Sequence, residues 1–452
     1  MDSNGDLTST ISKTANQQLA QDTLVDGGDG VDTLKFDTDF VSSSGTVSQK
    51  INVVLSDSDF ANVSEFEAIL LNGTGSQTLT LGTAASAAFI SGLTVTANTA
   101  GDGLVFSAAD AGWTRTTNVT GTDNADTLTG GVNADILNGG GGSDLLTGGA
   151  GADASTGGAG TNTYVFNTND VAVGETVTFT TGATEIFRVD TSTDFSNVNG
   201  GTSSLTGLTT VNIAHSQSAT FTAAQVNGLG FTANGISTTS LIVNGTSSAE
   251  TINLSSLSLS GGLLGVQIFG NDGSDVITGT SLNDTIRGGS GDDFLSGGSG
   301  QDVFVFESSA SANGVDTLLD FAVGAAGDKL SFGNLGSFSL DNGGSWTSNV
   351  VNDGQLTNAT GLVIELWSAA SESSEDVNEA SEIAAQFGNA LSITSGGEAI
   401  VISGEDTSAQ KAYIWYVNDA NSNGVISVDE VTQIAYFNSL NVNTLTAENF
   451  IL

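Results

Sequence analysis

The sequence predicts an all-β protein: a parallel β-roll or β-solenoid, with additional β segments and one short C-terminal helix. Three observations predict it. Gly contributes 60 of 452 residues and Pro none, about double the usual glycine share, and without collagen's strict period of three that means many turns. Two stretches repeat every nine residues, a period that marks stacked repeat architectures. Between them lie short segments such as Thr78-Leu79-Thr80-Leu81, whose alternation is that of a half-buried strand. For these segments alternation alone fits a solenoid or a sandwich equally.

The first repeat array reads GTDNADTLT, GGVNADILN, GGGGSDLLT, GGAGADAST and GGAGTNTYV from Gly121. Its sixth place holds Asp126, Asp135, Asp144, Asp153 and then Asn162. The second array reads GNDGSDVIT, GTSLNDTIR, GGSGDDFLS and GGSGQDVFV from Gly270, with Asp275, Asp284, Asp293 and Asp302 in sixth place. The eighth place is apolar in both, except at Ser155 and at Tyr164. One isolated copy, GGDGVDTLK, places Asp32 sixth, and a degenerate copy places Glu250 sixth. A flexible Gly/Asp linker would not hold Asp and an apolar residue in two such registers.

Each place has a physical reason. Glycines at places one, two and four allow positive φ and close backbone approach. They make a tight turn whose carbonyls point inward, while the last three residues extend and send the eighth side chain into a core. The sixth-place Asp adds a charged oxygen beside those carbonyls. Oxygen ligands in a flexible nest suit a hard cation at about 2.3–2.6 Å, which is Ca²⁺. Two nonapeptides make one coil of a right-handed parallel roll, with ions between successive coils.

Charge agrees. Lys+Arg total 8 against Asp+Glu 50, a formal net charge of −42. Such a surface lacks the cations that neutralise phosphate, which excludes nucleic acid, and anionic membrane repels it. Carboxylate excess of this size calls for divalent cations. Cys is 0 and His is 1, which excludes disulfides, thiolate metal sites and His-rich zinc chemistry. The N-terminus, Met1-Asp2-Ser3-Asn4-Gly5-Asp6, lacks the basic and apolar regions of a secretory signal. No apolar run approaches the ~20 residues that span a bilayer. The chain is expected to be cytosolic or exported by a route that needs no N-terminal signal, and without membrane insertion.

The nonapeptides resemble the RTX family, whose repeat is G-G-x-G-x-D-x-U-x. The resemblance implies Ca²⁺ as the bound ion, with ligands from the sixth-place Asp and the carbonyls of places one to four. Carried over, it nominates Asp126, Asp135, Asp144, Asp153, Asp275, Asp284, Asp293 and Asp302, together with Asp32. Carbonyl candidates are Gly131, Asn133, Gly140, Gly142, Gly149, Gly151, Gly289, Gly291, Gly298 and Gly300. Ser155 weakens the core place and Asn162 lacks charge, so the first array is expected to fade at its end.

Each array closes on an aromatic strand, Thr163-Tyr164-Val165-Phe166 or Val303-Phe304-Val305-Phe306, and residues 66–70 align with 208–212. The chain therefore reads as a duplicated unit. The expected domains are 1–120, an N-terminal β domain with one nonapeptide; 121–166, the first roll; 167–244, a second β segment; 245–335, the second roll and trailing strands; and 336–452, a C-terminal domain.

The trailing segment 314–332 resembles the stretch immediately after the roll in serralysin-type RTX proteins. Residues 374–390 place Val377, Ala380, Ala384 and Phe387 at helical spacing, which predicts a docked amphipathic helix. Residues 419–430 fit the EF-hand loop pattern. Asp419, Asn421, Asn423, the Val425 carbonyl and a bidentate Glu430 would be the ligands. The flanks read as strands, so the alternative is an Asn/Gly hairpin turn. The end, Leu445 to Leu452, resembles the uncleaved signal of type I secretion. The stretch 413–452 resembles C-terminal domains of RTX surface proteins from aquatic bacteria.

No catalytic constellation stands out. His215 is read as structural, on a strand edge. RTX cytolysins carry a long apolar region, and this chain has none. Segments 22–34 and 63–69 resemble bacterial S-layer RTX proteins. The functional expectation is a non-enzymatic, Ca²⁺-binding structural protein, exported by type I secretion. It would self-assemble at the cell surface into an S-layer or a related sheet or filament. Its partners would be further copies of itself and cell-surface polysaccharide. A monomeric RTX adhesin or a secreted RTX hydrolase is the alternative.

Overall fold

Alternating apolar residues bury every second side chain of a strand, and turns of a set length bring the next buried pair directly above the last. The computed structural model describes residues 31–36, 53–72, 74–98, 101–307, 309–332, 398–404, 411–422 and 425–440, with shorter pieces between and beyond them. The chain forms two compact units, one of residues 1–221, 231–239 and 260–263, the other of 222–230, 240–259 and 264–452.

In the first unit the chain passes back and forth between two parallel ladders. One inward row runs Leu34, Ile69, Val95, Val119, Leu137, Ser155, Val177, each paired with the next. The other runs Leu55, Leu79, Phe106, Leu128, Leu146, Tyr164, Phe187, Val211, Ala233. All of these residues are buried. Parallel pairing coil on coil decides for a solenoid over a sandwich. The eighth-place residues of the repeats are members of these rows. Ser155 keeps its inward place, although it buries little apolar surface there. The expected boundaries at 120 and 166 fall inside one continuous ladder, because strand Ala154–Phe166 pairs with neighbours on both sides of the second position.

Beyond the array the rows fill with phenylalanine. Phe195 stacks on Phe221 at 4.7 Å between ring centroids, on Phe187 at 5.1 Å, and meets Phe166 edge-on at 4.8 Å. Replacement Phe195→Ala should destabilise this unit by about 3–5 kcal/mol, since the surrounding coils cannot collapse into the space. Urea unfolding at saturating Ca²⁺ measures it; a loss under about 1 kcal/mol would show that the stack carries little.

The second unit repeats the plan. One row runs Val243, Ile268, Ile286, Phe304, Leu330, Phe450 and the other Ile252, Ile277, Leu295, Leu318, Phe437. The last coil then changes direction. Strand Val431–Phe437 adds parallel to Asp316–Leu318, and Ala412–Asn418 and Glu398–Gly404 add antiparallel beside it. This covers a roll edge that would otherwise present unpaired backbone groups. Asn313 ties the junction by donating to the Ile434 carbonyl at 3.0 Å, and Asn449 donates to the Asp328 carbonyl at 2.9 Å.

Of the predicted helix 374–390, the described residues Ala380, Ser381, Ile383 and Ala384 are helical. Ile383 and Ala384 pack with Val401, Trp415, Val417, Ile426 and Val431. Val377 and Phe387 lie outside the described residues. His215 is not on a strand edge: it lies past the end of Leu208–Ile213, in an exposed turn, with Nδ1 2.7 Å from the hydroxyl of Ser216.

Candidate metal centre

The sixth place sits two residues ahead of the core row, so its side chain turns inward at the start of each strand. All eight sixth-place aspartates are buried, none more than 2% exposed. Each carboxylate accepts the backbone amide of a residue one coil upstream. In the arrays that coil is 18 residues: Asp126 donates to Asp144 Oδ1 at 2.9 Å, Asp135 to Asp153 at 2.7 Å, Asp275 to Asp293 at 2.8 Å and Asp284 to Asp302 at 2.8 Å. The result is a ladder of carboxylates down the inside of each row.

One amide does not satisfy a buried carboxylate. The Oδ2 atoms of Asp144, Asp153, Asp275, Asp293 and Asp302 are buried and meet no hydrogen-bond donor. An unmade bond to a buried charged oxygen costs more than about 1–3 kcal/mol. Burial pushes the carboxyls of Asp144, Asp153, Asp293 and Asp302 up to about 7, with neighbouring carboxylates adding to it. Burial raises Asp284 to about 6, and also raises Asp126, Asp135 and Asp275. The five Oδ2 atoms that meet no donor call for a cation.

Glycine makes the space. A Cβ on Gly139 would overlap Asp144 Oδ2 and come 2.5 Å from the carbonyl oxygen of Gly157. Gly270 is enclosed in the same way by Asp275 Oδ2 and the Gly288 carbonyl. The place-one carbonyl of one coil therefore converges with the carboxylate of the coil before. Among the described residues no three Asp, Glu, His or Cys side chains gather around one point, so backbone carbonyls must complete any coordination sphere. An orphaned carboxylate oxygen beside backbone carbonyls fits Ca²⁺ and suits neither zinc nor a soft metal.

The other nominated residues divide. Asp32 is buried and its amide donates to Glu67 Oε2 at 2.8 Å, the same ladder contact in an isolated copy; Gly27 to Gly30 lie outside the described residues. In the loop 419–430 the flanks are antiparallel strands, as the sequence implies. Asp419 is buried. Glu430 accepts the Asn421 amide at 3.2 Å through Oε1, and the Ser427 amide and hydroxyl at 2.9 and 2.8 Å through Oε2. The Ser427 bonds hold its carboxyl below the usual range. Both Glu430 oxygens thus close the turn itself. Val425 is exposed, and Asn423 lies outside the described residues. Asn162 continues the ladder with a neutral amide, accepting from Asp144 at 3.4 Å and donating to the Gly158 carbonyl.

The ladder extends past the nonapeptides. Asp153 donates its amide to Glu175 Oε2 at 3.0 Å, Asp293 to Asp316 Oδ1 at 3.2 Å and Asp302 to Asp328 Oδ1 at 2.9 Å. These three carboxylates and Glu67 lie outside the reach of the nonapeptide motif. The sequence carries a weaker signal for the three: acidic residue, any residue, apolar residue, as in Glu175-Thr176-Val177, Asp316-Thr317-Leu318 and Asp328-Lys329-Leu330.

A parallel roll lined by buried carboxylates and inward carbonyls, one set per coil, defines a cation-binding repeat protein. Residues 120–154, 129–164 and 269–304 match the family model of the RTX calcium-binding nonapeptide repeat. The two arrays are RTX repeats, and they bind Ca²⁺. Repeats of this kind are typical of extracellular proteins secreted by the type I route. A comparison with curated proteins finds no match to the chain.

Replacement Gly139→Ala tests the nest without touching a charged ligand. Its methyl displaces both the Asp144 carboxylate and the Gly157 carbonyl, so Ca²⁺ affinity at that coil should fall by on the order of 10-fold or more. Calorimetry at constant pH reads it; unchanged affinity would mean the two oxygens do not share an ion.

Proposed function

We propose that this protein is a structural protein of the cell surface, one that self-assembles into an S-layer or a related extracellular sheet or filament, with Ca²⁺ driving both folding and assembly. It is proposed to have no enzymatic activity, and to contact further copies of itself and cell-surface polysaccharide. The observation that carries this reading is the outer face of the second unit. Val276 and Phe294 are adjacent in the parallel ladder and both are exposed, at 41% and 46%. Apolar neighbours on a regular, stacked face suit packing against another such face. The charge of −42 opposes that packing until divalent cations reduce it.

Electron microscopy of purified protein, with Ca²⁺ and after chelation, tests assembly. Ordered sheets or filaments that require Ca²⁺ support it, and dispersed particles in both conditions overturn it. The variant Phe294→Asp should block assembly while leaving Ca²⁺ stoichiometry unchanged, because the ring lies on the outer face and the ions on the inner. Assembly at wild-type levels would remove Phe294 from the interface.

A further inference from the structure

The eight sixth-place aspartates are alike in sequence and differ in geometry. In Asp126, Asp135 and Asp284, Oδ2 accepts the place-two amide of its own repeat. The donors are Thr122 at 2.7 Å, Gly131 at 2.6 Å and Thr280 at 2.5 Å. The hydroxyls of Thr122 and Thr280 donate to the same carboxylates at 3.1 and 3.0 Å. In the other five, Oδ2 meets no donor. Backbone conformation follows the same division. The place-two residues of the five are all left-handed: Gly140 at φ 100°, Gly149 at 96°, Asn271 at 77°, Gly289 at 109° and Gly298 at 96°. Thr122, Gly131 and Thr280 are not in that region. With positive φ the place-two amide no longer reaches its own carboxylate.

Stacking explains which form a repeat adopts. Each left-handed glycine packs over the place-two carbonyl one coil upstream: Gly140 over Thr122, Gly149 over Gly131, Gly289 over Asn271 and Gly298 over Thr280. Asn271 reaches the same direction through its side chain, donating to the Gly245 carbonyl at 2.8 Å. The opened form thus occurs where another copy of the repeat lies one coil upstream. Thr122, Gly131 and Thr280 begin their rows of nonapeptides and close on themselves. Gly131 shows that position in the row, and not residue type, decides.

We infer that, of these eight, only Asp144, Asp153, Asp275, Asp293 and Asp302 hold Ca²⁺ through their side chains, and that Asp126, Asp135 and Asp284 are metal-independent caps that start each row. A closed carboxylate already accepts two or more donors on both oxygens, so an ion binding there competes with them. An open one has a buried oxygen that nothing else in the protein satisfies. The inference rests on the arrays being calcium sites, and it does not depend on assembly.

Two measurements on the full chain test it. In the first, crystals of the wild-type protein grown with Ca²⁺, or with a lanthanide in its place, are mapped by anomalous scattering. Ions are expected within ligand distance of Oδ2 in the five open aspartates and beside none of the three closed ones. An ion on Asp126, Asp135 or Asp284 overturns the inference while leaving the calcium sites intact; no ion beside either class overturns both. In the second, native mass spectrometry counts bound Ca²⁺ in single variants that keep an oxygen acceptor. Asp144→Asn and Asp293→Asn should lose at least one ion each, and Asp126→Asn and Asp284→Asn none. Equal losses in the two classes overturn it.

Discussion

Removal of Ca²⁺ at pH 8 is expected to unfold the two arrays and disperse any assembly, and readdition of Ca²⁺ to restore both, where NaCl of equal ionic strength restores neither. The ladder is the reason. Without the ion, buried carboxylates stand one coil apart along each row, and like charges in a poorly polarisable interior repel strongly. Glycine-rich turns also give up about 1–2 kcal/mol of backbone entropy per residue on ordering. An ion that binds only the native roll stabilises it by about 2.7 kcal/mol per site when present at about 100 times its Kd, and the sites act on neighbouring coils. Far-UV circular dichroism and sedimentation, run on the same samples, read folding and assembly. Equal recovery in NaCl would mean that cations act by screening alone, and the ligand role of the sixth-place aspartates would lose its main support.

The metal-free protein should be more stable at pH 5 than at pH 8, the reverse of a protein held by ordinary ion pairs. Asp144, Asp153, Asp293 and Asp302 are raised by burial to about 7, and Glu175 to about 8. Unfolded, these groups titrate near about 4. The folded state therefore binds more protons between the two values, and stability falls as pH rises. The contribution is complete below about pH 4 and is lost as pH climbs through about 7 to 8. Ca²⁺ reverses the sign, because it competes with protons for the same oxygens, so its affinity should weaken as pH drops below about 7. Thermal unfolding of calcium-stripped protein at the two pH values checks this. Surface charge pushes in the same direction, so the double variant Asp144→Asn, Asp293→Asn is the control: it should narrow the difference. Greater metal-free stability at pH 8 would refute the effect outright.

Much of the site is legible from residues alone. A period of nine with Asp sixth and an apolar residue eighth requires both side chains to face inward, since two places apart on a strand is one face. That pattern marks all eight buried aspartates and the core row of the arrays. It also marks the end of the first array, where Asn162 brings an amide in place of a carboxylate. It does not reach Glu175, Asp316 and Asp328. Their coils have other lengths and keep at most one of the glycines of places one, two and four, so they carry the acidic-x-apolar triplet without the period that makes it recognisable.

The repeat, the inward chemistry and the ion it calls for are all readable from the residues, because these arise from periodicity and residue type within a single coil. Tertiary structure decided the rest. Whether Thr78-Leu79-Thr80-Leu81 belonged to a solenoid or a sandwich depended on its partners, and Leu79 pairs in parallel with Leu55 and Phe106. Which aspartates are open also depended on neighbours. Gly131 and Gly140 occupy the same place in repeats that share Gly at places one and two, Asp at six and Leu at eight, yet one closes on its own Asp and the other is left-handed. The difference is the repeat one coil upstream, whose carbonyl the left-handed turn packs against, and no single nonapeptide contains that information.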